Sequence, residues 1–195
     1  MDIHELNSSV FGHSSFREGQ MFLISSILEG RDCLGIMPTG GGKSLCYQIP
    51  AMTLPGLALV VSPLISLMND QVAALRGSGV PAAAYNSSLS TEERRHVRSG
   101  LREGRLKLLY VSPERLESPA FLELLDGLHI PLVAVDEAHC ISQWGQDFRP
   151  SYLGIPDFIA GLPKRPVVAA FTATATAEVR SDIIRPVSYT HLTLP

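Results

Sequence analysis

Short, unbroken apolar runs alternate with longer stretches of helical spacing over most of the chain. Six such runs lie at 34–36, 57–61, 82–85, 107–111, 131–135 and 166–171. Helical spacing is found at 43–52, 64–76, 90–103, 118–126, 151–161 and 176–185, after one short and one longer helix within 2–29. Strands that are apolar on both faces and are separated by helices predict an α/β domain. Its sheet is expected to be mostly parallel, with helices on both faces.

One strand-to-helix junction carries a specific chemical signal. LGIMPTGGGKS, at 34–44, takes an apolar strand through a glycine-rich turn to a lysine and a hydroxyl at the start of a helix. It matches the phosphate-binding pattern GxxxxGK[ST] except that Met37 holds the first glycine position. Backbone N–H groups and the helix dipole would bind phosphate there, Lys43 would reach the β and γ phosphates, and Ser44 would ligate magnesium. The phosphate-contacting residues are therefore Thr39, Gly40, Gly41, Gly42, Lys43 and Ser44.

A glycine-rich surface loop with a chance GKS is the alternative interpretation of this stretch. The flanking strand and helix favour the phosphate site, because they are the context that the motif requires.

Two carboxylates end the fifth apolar run. Asp136 and Glu137 follow PLVAV, where Asp136 would hold magnesium beside Ser44 and Glu137 would orient and deprotonate an attacking water. The alternative is that the pair only caps the following helix, since acidic residues favour helix starts.

Composition limits the other classes of function. The net charge of −3 argues against binding nucleic acid through overall charge, so a nucleic-acid site must come from local motifs. We expect no membrane partner and a cytoplasmic location, because no run is long enough to span a bilayer and no secretory signal begins the chain. The three cysteines are not at metal-binding spacing and predict free, buried thiols.

In order along the chain, these motifs resemble superfamily two helicases of the DEAH type, and more closely the RecQ family of DNA helicases. The resemblance covers most of the chain. The segments that carry it are FREGQ at 16–20, MPTGGGKSLCYQIP at 37–50, VVSPLISLMNDQV at 60–72, YVSPERL at 110–116, DEAHCISQWGQDFRPSY at 136–152 and FTATAT at 171–176. It implies a RecA-like P-loop NTPase domain, ATP and Mg2+ as cofactors, and single-stranded and partly duplex DNA as partners.

The resemblance also implies roles for residues. Arg17 and Gln20 would contact adenine, and His139 would join Lys43, Asp136 and Glu137 as a catalytic residue that bridges to moving parts. DNA contacts are implied for Ser62, Pro63, Leu64, Ser66, Gln71, Trp144, Phe148 and Arg149. Coupling of DNA binding to hydrolysis is implied for Gln143, Gln146, Asp147, Thr172 and Thr174.

Physical chemistry leaves simpler interpretations of some of these residues. Gln20 could be an ordinary exposed helix residue, and Trp144 and Phe148 could form a satellite hydrophobic cluster. Thr172 and Thr174 could be β-branched strand residues. Gln146 stands where the family usually has histidine; it exchanges hydrogen bonds but carries no charge.

The expected organisation is an adenine-contacting helical segment at 1–30, a first RecA-like domain at 31–185 and a tail at 186–195. The tail reads VSYTHL at 187–192, which resembles a translated sequencing adapter, so we expect it to be non-native. The family's second RecA-like lobe, which carries an arginine finger, has no counterpart in this sequence. Such an arginine is worth about 10³–10⁵ in rate, so we expect the chain alone to hydrolyse ATP slowly.

The intact protein is expected to be an ATP-dependent 3′→5′ DNA helicase of repair and recombination, in the bacterial cytoplasm or nucleoid. An RNA helicase of the same superfamily and a catalytically incompetent nucleotide-binding module are the alternatives.

Overall fold

The computed structural model describes residues 2–144 and 147–187. The predicted coupling residue Gln146 and most of the predicted tail, residues 188–195, lie outside the described residues. The strands are β1 Cys33–Ile36, β2 Ala58–Val61, β3 Ala82–Tyr85, β4 Leu108–Val111, β5 Leu132–Val135 and β6 Val167–Thr172. The helices are α1 Ile3–Ser9, α2 Gln20–Leu28, α3 Lys43–Thr53, α4 Ile65–Gly77, α5 Thr91–Arg102, α6 Pro119–Leu125, α7 Ile155–Gly161 and α8 Ala177–Val187.

The six strands form one sheet in the order β1-β6-β5-β2-β4-β3. Every strand pairing in the described part of the chain is parallel. Each crossover therefore returns the chain to the same edge, and the loops after the strands collect at the carboxyl edge of the sheet. β6 lies between β1 and β5, so the segments that follow these three strands are neighbours.

Alternate strand residues enter two cores on opposite faces of the sheet. Val60, Tyr110 and Phe171 pack with α2, α3 and α4 on one face. Val61 and Val135 pack with α5, α6, α7 and α8 on the other. Each large apolar side chain removed from water stabilises the fold by about 1.5–3 kcal/mol. The predicted α/β architecture with helices on both faces is confirmed.

The N-terminal helices join the same body. Leu6 of α1 and Ile24 of α2 pack against Leu45 and Ile49 of α3, and Leu23 of α2 reaches the sheet core. This packing fixes the position of the segment between α1 and α2 relative to the loop that precedes α3.

The structure differs from the sequence expectation at 151–161, which was predicted as one helix. A 3-10 turn at Pro150–Gly154 comes first, and α7 begins at Ile155. Pro156 explains the start, because proline suits the first turn of a helix and disrupts its interior.

The cysteine prediction is confirmed, since Cys33, Cys46 and Cys140 are all buried and free. None of the helices within the described ranges has both the length and the hydropathy of a bilayer span.

Candidate nucleotide site and nucleic-acid interface

The loop after β1 turns tightly before α3. Gly40 and Gly42 have φ of 77° and 82°, the left-handed region that favours glycine. A side chain on Gly41 would place its Cβ 2.8 Å from the carbonyl oxygen of Pro38. No side chain caps the first turn of α3, so its leading N–H groups remain available to an anion.

Lys43 begins α3 and folds over this loop. Its Nζ donates to the carbonyl oxygen of Met37 at 3.3 Å. An ammonium group has three donors, so this contact leaves others available to an anion in the cavity. Ser44 follows on the same turn of helix and lines the same cavity.

Gln20 and Arg17 hold the phosphate loop from the opposite side. Gln20 Oε1 accepts from the backbone N–H of Arg17 at 2.7 Å, and Gln20 Nε2 donates to the carbonyl oxygen of Gly42 at 3.1 Å. Arg17 Nη1 donates to the carbonyl oxygen of Gly40. Gln20 is only 2% exposed, so the interpretation of it as an ordinary exposed helix residue is wrong. An amide has two donors and two lone pairs, so Gln20 keeps capacity for a further partner.

The acidic pair lies across the cavity from the loop. Asp136 is buried, and its Oδ1 accepts from the backbone N–H of Glu137 at 3.0 Å. Burial and the neighbouring charge of Glu137 raise the pKa of Asp136 to about 6, although the Glu137 N–H and the Lys43 ammonium act in the opposite direction. A buried carboxylate whose charge is incompletely compensated favours a nearby cation.

Glu137 has a backbone conformation that is uncommon for its residue type. Its φ is 49° and its ψ is 44°, and it is the one non-glycine residue with positive φ in the described ranges. Its side chain makes no capping hydrogen bond to the 3-10 turn Ala138–Ile141 that follows. The helix-capping alternative is therefore wrong for Glu137, and its backbone instead sets where the carboxylate lies at the strand end.

His139 connects the acidic pair to the segment after β6. Its Nδ1 lies 2.9 Å from Thr172 Oγ1 and 3.2 Å from Glu137 Oε2. Thr172 Oγ1 donates its one proton to the carbonyl oxygen of Thr174 at 3.0 Å. Nδ1 must therefore be the donor to Thr172, which fixes a proton on that nitrogen. The bonding of the Thr172 hydroxyl excludes a purely β-branched packing role for this residue.

Most of the groups described above line one cavity of about 450 Å³, whereas Gly41, His139 and Thr172 lie outside its lining. This volume is typical of ligand sites. The lining of the cavity includes the residues Arg17, Gln20, Thr39, Gly40, Gly42, Lys43, Ser44, Asp136 and Glu137. The hydroxyl of Ser44 and the carboxylate of Asp136 fit magnesium, which takes oxygen ligands and is usually held by one or two protein groups plus phosphate oxygens. The described residues contain no cluster of three or more His, Cys, Asp or Glu side chains that could hold a metal by themselves.

The segment after β2 divides between surface and interior. Leu64 and Ser66 are exposed and Pro63 is half-buried, whereas Ser62 is buried. Gln71 turns inward, lines the nucleotide cavity, and accepts from Gln48 Nε2 at 2.8 Å. Of the implied DNA contacts in this segment, the structure thus places Leu64 and Ser66 at the surface and Ser62 in the interior, and it leaves Pro63 and Gln71 half-buried.

The loop after the acidic pair exposes one large aromatic side chain. Trp144 is 80% exposed, which excludes a satellite hydrophobic cluster as its environment; Phe148 is half-buried, and Gln143 and Asp147 are exposed. Arg149 Nη1 donates to the carbonyl oxygen of Pro63 at 3.2 Å, and Arg149 Nη2 pairs with Asp147 Oδ2 at 3.1 Å. Arg149 therefore joins this loop to the segment after β2.

Several residues in or next to the site have no motif that predicts a role for them. Tyr152 is fully buried and donates to the backbone carbonyl oxygen of Asp136 at 2.8 Å. Gln48 also donates to the Tyr110 hydroxyl at 2.9 Å, which links α3 to β4. His13 lines the cavity. Only the order of the strands brings these partners together, so spacing along the chain contained no signal for them.

Comparison with known proteins gives a consistent family match. Residues 17–182 match the family model described as DEAD/DEAH box helicase. The chain is 53% identical over 176 residues to an ATP-dependent DNA helicase RecQ of Bacillus subtilis, covering 90% of this chain and 30% of that protein. It is 49% identical over 184 residues to the RecQ helicase of Haemophilus influenzae, covering 94% and 30%. The chain therefore spans about 30% of the length of these relatives.

Solved structures share the fold at lower sequence identity. The helicase domain of Pyrococcus furiosus Hef superposes with a TM-score of 0.70 at 23% identity, covering 91% of this chain and 37% of that one. The DUF1998 helicase MrfA bound to DNA and AMPPNP gives 0.77 at 17% identity, covering 99% and 28%. These likenesses confirm the RecA-like fold class.

Proposed function

Because the chain belongs to the DEAD/DEAH box helicase family, we propose that it is the ATP-binding lobe of a RecQ-type, ATP-dependent 3′→5′ DNA helicase. One observation carries this proposal: a phosphate loop, a base-side amide and an acidic pair line a single cavity at the carboxyl edge of the sheet. The relatives named above are DNA helicases, which supports DNA rather than RNA as the nucleic acid. Such a protein works in repair and recombination, in the bacterial cytoplasm or nucleoid.

The residues of the cavity have different proposed roles in the hydrolysis of ATP. The N–H groups of the loop and the ammonium of Lys43 hold the phosphates of ATP. Gln20 and Arg17 lie on the far side of the loop, where an amide and a guanidinium fit the edge and face of adenine. Magnesium, when bound by Ser44 and Asp136, supplies positive charge beside the phosphate oxygens.

Glu137 is the proposed base. It accepts the proton of a water whose oxygen attacks the γ phosphorus, while the bond from that phosphorus to the bridging oxygen breaks and ADP leaves. His139 Nδ1–H orients the Glu137 carboxylate and also donates to Thr172. Movement of the segment after β6 is in this way linked to the position of the base.

Single-stranded DNA is proposed to cross the carboxyl edge beside the cavity. Leu64, Ser66 and Trp144 are the exposed groups there, and stacking of a base on an aromatic ring is worth about 1–3 kcal/mol. Arg149 uses three donor groups inside the protein, so its guanidinium chiefly holds the loop in place and has two further N–H groups for a phosphate. Ser62 would act from inside, through the packing of this segment, and Gln71 would act from the wall of the nucleotide cavity.

Single-turnover hydrolysis tests the proposal, since it detects slow rates. With ATP and Mg2+, we expect the 195-residue chain to hydrolyse slowly and faster with single-stranded DNA than with RNA of the same length. Glu137→Gln should reduce the rate by about 10²–10⁴-fold while ATP still binds. Glu29→Gln, which alters an exposed carboxylate between α2 and β1 at the opposite edge of the sheet, is the control and should leave the rate unchanged.

Two outcomes would count against the assignment. Greater stimulation by RNA would favour the RNA helicase alternative, and an unchanged rate in Glu137→Gln would remove the proposed base.

A further inference from the structure

Helix α5 presents a row of arginines that none of the roles above uses. Arg94, Arg95, Arg98 and Arg102 are all exposed. The opposite side of the helix is apolar, since its residues Val97 and Leu101 are buried in the core on that face of the sheet. Four of the 16 lysines and arginines of a chain with net charge −3 thus lie within nine residues. We call these four residues the arginine face.

Two acidic side chains near the arginine face already have partners, and a third, Glu92, is exposed on the same helix three residues before Arg95. Within the described ranges, none of its four arginines forms an ion pair within 4.0 Å. Glu93 accepts from the N–H of Ser90 in the capping box of the helix, and Glu103 pairs with Arg105 at 2.6 Å. The face therefore keeps most of its positive charge for a partner outside the chain.

Among the described residues, acidic groups from outside α5 lie at the far end of the arginine face. Glu123 and Asp126 line a cleft of about 380 Å³ together with Arg98 and Arg102. They lower the local positive potential at that end.

The spacing of the arginines matches a regular array of charges. At 100° and 1.5 Å per residue, the four residues fall within an arc of about 100° and about 12 Å of helix axis. A strand of duplex DNA presents one phosphate per about 3.4 Å of its axis, so this length faces three or four phosphates. The helix contains no Phe, Tyr or Trp on which an unpaired base could stack, so its chemistry fits a phosphate backbone rather than exposed bases.

The position of α5 is also suitable for contact with DNA at the carboxyl edge of the sheet. It follows β3, the edge strand farthest from β1 in the sheet, and its first turn starts at the carboxyl edge. A DNA bound there would approach the proposed single-strand path from the side opposite the nucleotide cavity. Arg94 and Arg95 lie nearest that edge.

We propose that the arginine face binds the phosphate backbone of the duplex part of a partly duplex DNA whose single strand crosses the carboxyl edge. This inference rests on the proposed function, because it takes DNA as the nucleic acid. It adds a second, sequence-independent contact that distinguishes a junction from a bare single strand.

Fluorescence anisotropy at several salt concentrations, with two DNA probes, tests the contact between the arginine face and the duplex. One is a labelled single strand, and the other is the same strand extended by a duplex. In Arg94→Gln/Arg98→Gln, we expect the slope of log K against log salt for the junction to fall by about 1.8, or about 0.9 per lost phosphate contact. The loss of junction affinity should then be about tenfold larger at 50 mM than at 200 mM salt. Affinity for the single strand should remain within twofold of wild type.

Matched variants distinguish an effect of the arginine face from an effect of the net charge of the chain. Arg31→Gln/Lys164→Gln removes the same charge from exposed positions before β1 and β6, at the opposite edge of the sheet, and should leave the junction slope unchanged. Arg94→Lys/Arg98→Lys keeps the charges and should retain the wild-type slope.

The outcomes also separate this inference from the proposed function. An unchanged junction slope in the glutamine variant, or an equal loss with the single strand, overturns the duplex contact while DNA binding by the wild type stands. Wild-type chain that binds RNA in preference to both DNA probes overturns the proposed function itself.

Discussion

Replacing Asp136 by asparagine should stabilise the protein in the absence of ligands while weakening its function. The pKa of Asp136 is raised from 3.8 to about 6 by burial and by Glu137. At neutral pH the carboxylate is ionised in both the folded and the unfolded state, so the folded state bears the cost of the buried charge. A pKa about 2 higher corresponds to about 3 kcal/mol. Asparagine has nearly the same shape, and its Oδ1 can still accept from the N–H of Glu137.

The direction of the pKa shift determines how the difference in free energy of unfolding between the wild type and Asp136→Asn changes with pH. Since the folded pKa lies above the unfolded value, the stability of the wild type relative to the asparagine variant is greatest below pH 3.8. It decreases between pH 3.8 and about 6, and is constant above that. Asp136→Asn should therefore unfold at nearly the wild-type urea concentration near pH 4. At pH 7.5 its free energy of unfolding should be higher by about 2–3 kcal/mol.

Urea unfolding in EDTA, followed by circular dichroism at both pH values, measures this difference. Addition of ATP and Mg2+ should then stabilise the wild type far more than the variant, since the variant lacks the anionic ligand. If the variant is equally or less stable than wild type at pH 7.5 in EDTA, the buried charge of Asp136 does not destabilise the folded state, which would contradict the prediction.

Three further substitutions test single contacts. Gly42→Ala should weaken ATP binding and lower the melting temperature, because its Cβ would collide with Gln20 Nε2 at a residue of positive φ; equal binding by calorimetry would contradict the loop geometry. Thr172→Val should lower the free energy of unfolding by about 1–3 kcal/mol, because it removes the acceptor of the His139 proton; a loss below 0.3 kcal/mol in urea would count against this bond. Trp144→Ala should weaken single-stranded DNA binding by about 1–3 kcal/mol with no change in melting temperature, and anisotropy showing wild-type affinity would exclude stacking.

Much of the fold was predictable because a parallel sheet covered on both faces requires strands that are apolar on both sides. The run at 131–135 ends at Val135 in the structure, and the acidic pair follows directly. The helix expected at 151–161 began late, because local proline placement outweighed apolar spacing. Strand order was not predictable in the same way, since six similar apolar runs do not specify which of them pair.

The parts of the site that lie on one continuous segment were also accessible from sequence. The loop before α3 is such a segment, and its residues Gly40, Gly42, Lys43 and Ser44 line the cavity together. Contacts between segments were not accessible in this way. The bond from Tyr152 to the carbonyl of Asp136 and the bond from Arg149 to Pro63 depend on the fold. The left-handed backbone of Glu137 likewise has no signal in its residue type.

One cavity is proposed to bind ATP through the loop before α3. Equilibrium titration of the chain with ATP and Mg2+ tests it most directly, with Lys43→Ala compared against Lys164→Ala, an exposed lysine at the opposite edge of the sheet. We expect saturable binding to the wild type and to Lys164→Ala. Binding to Lys43→Ala should be roughly tenfold to a hundredfold weaker, because a charge-assisted contact to phosphate is lost. Equal affinity of the two lysine variants for ATP would contradict the assignment of this cavity.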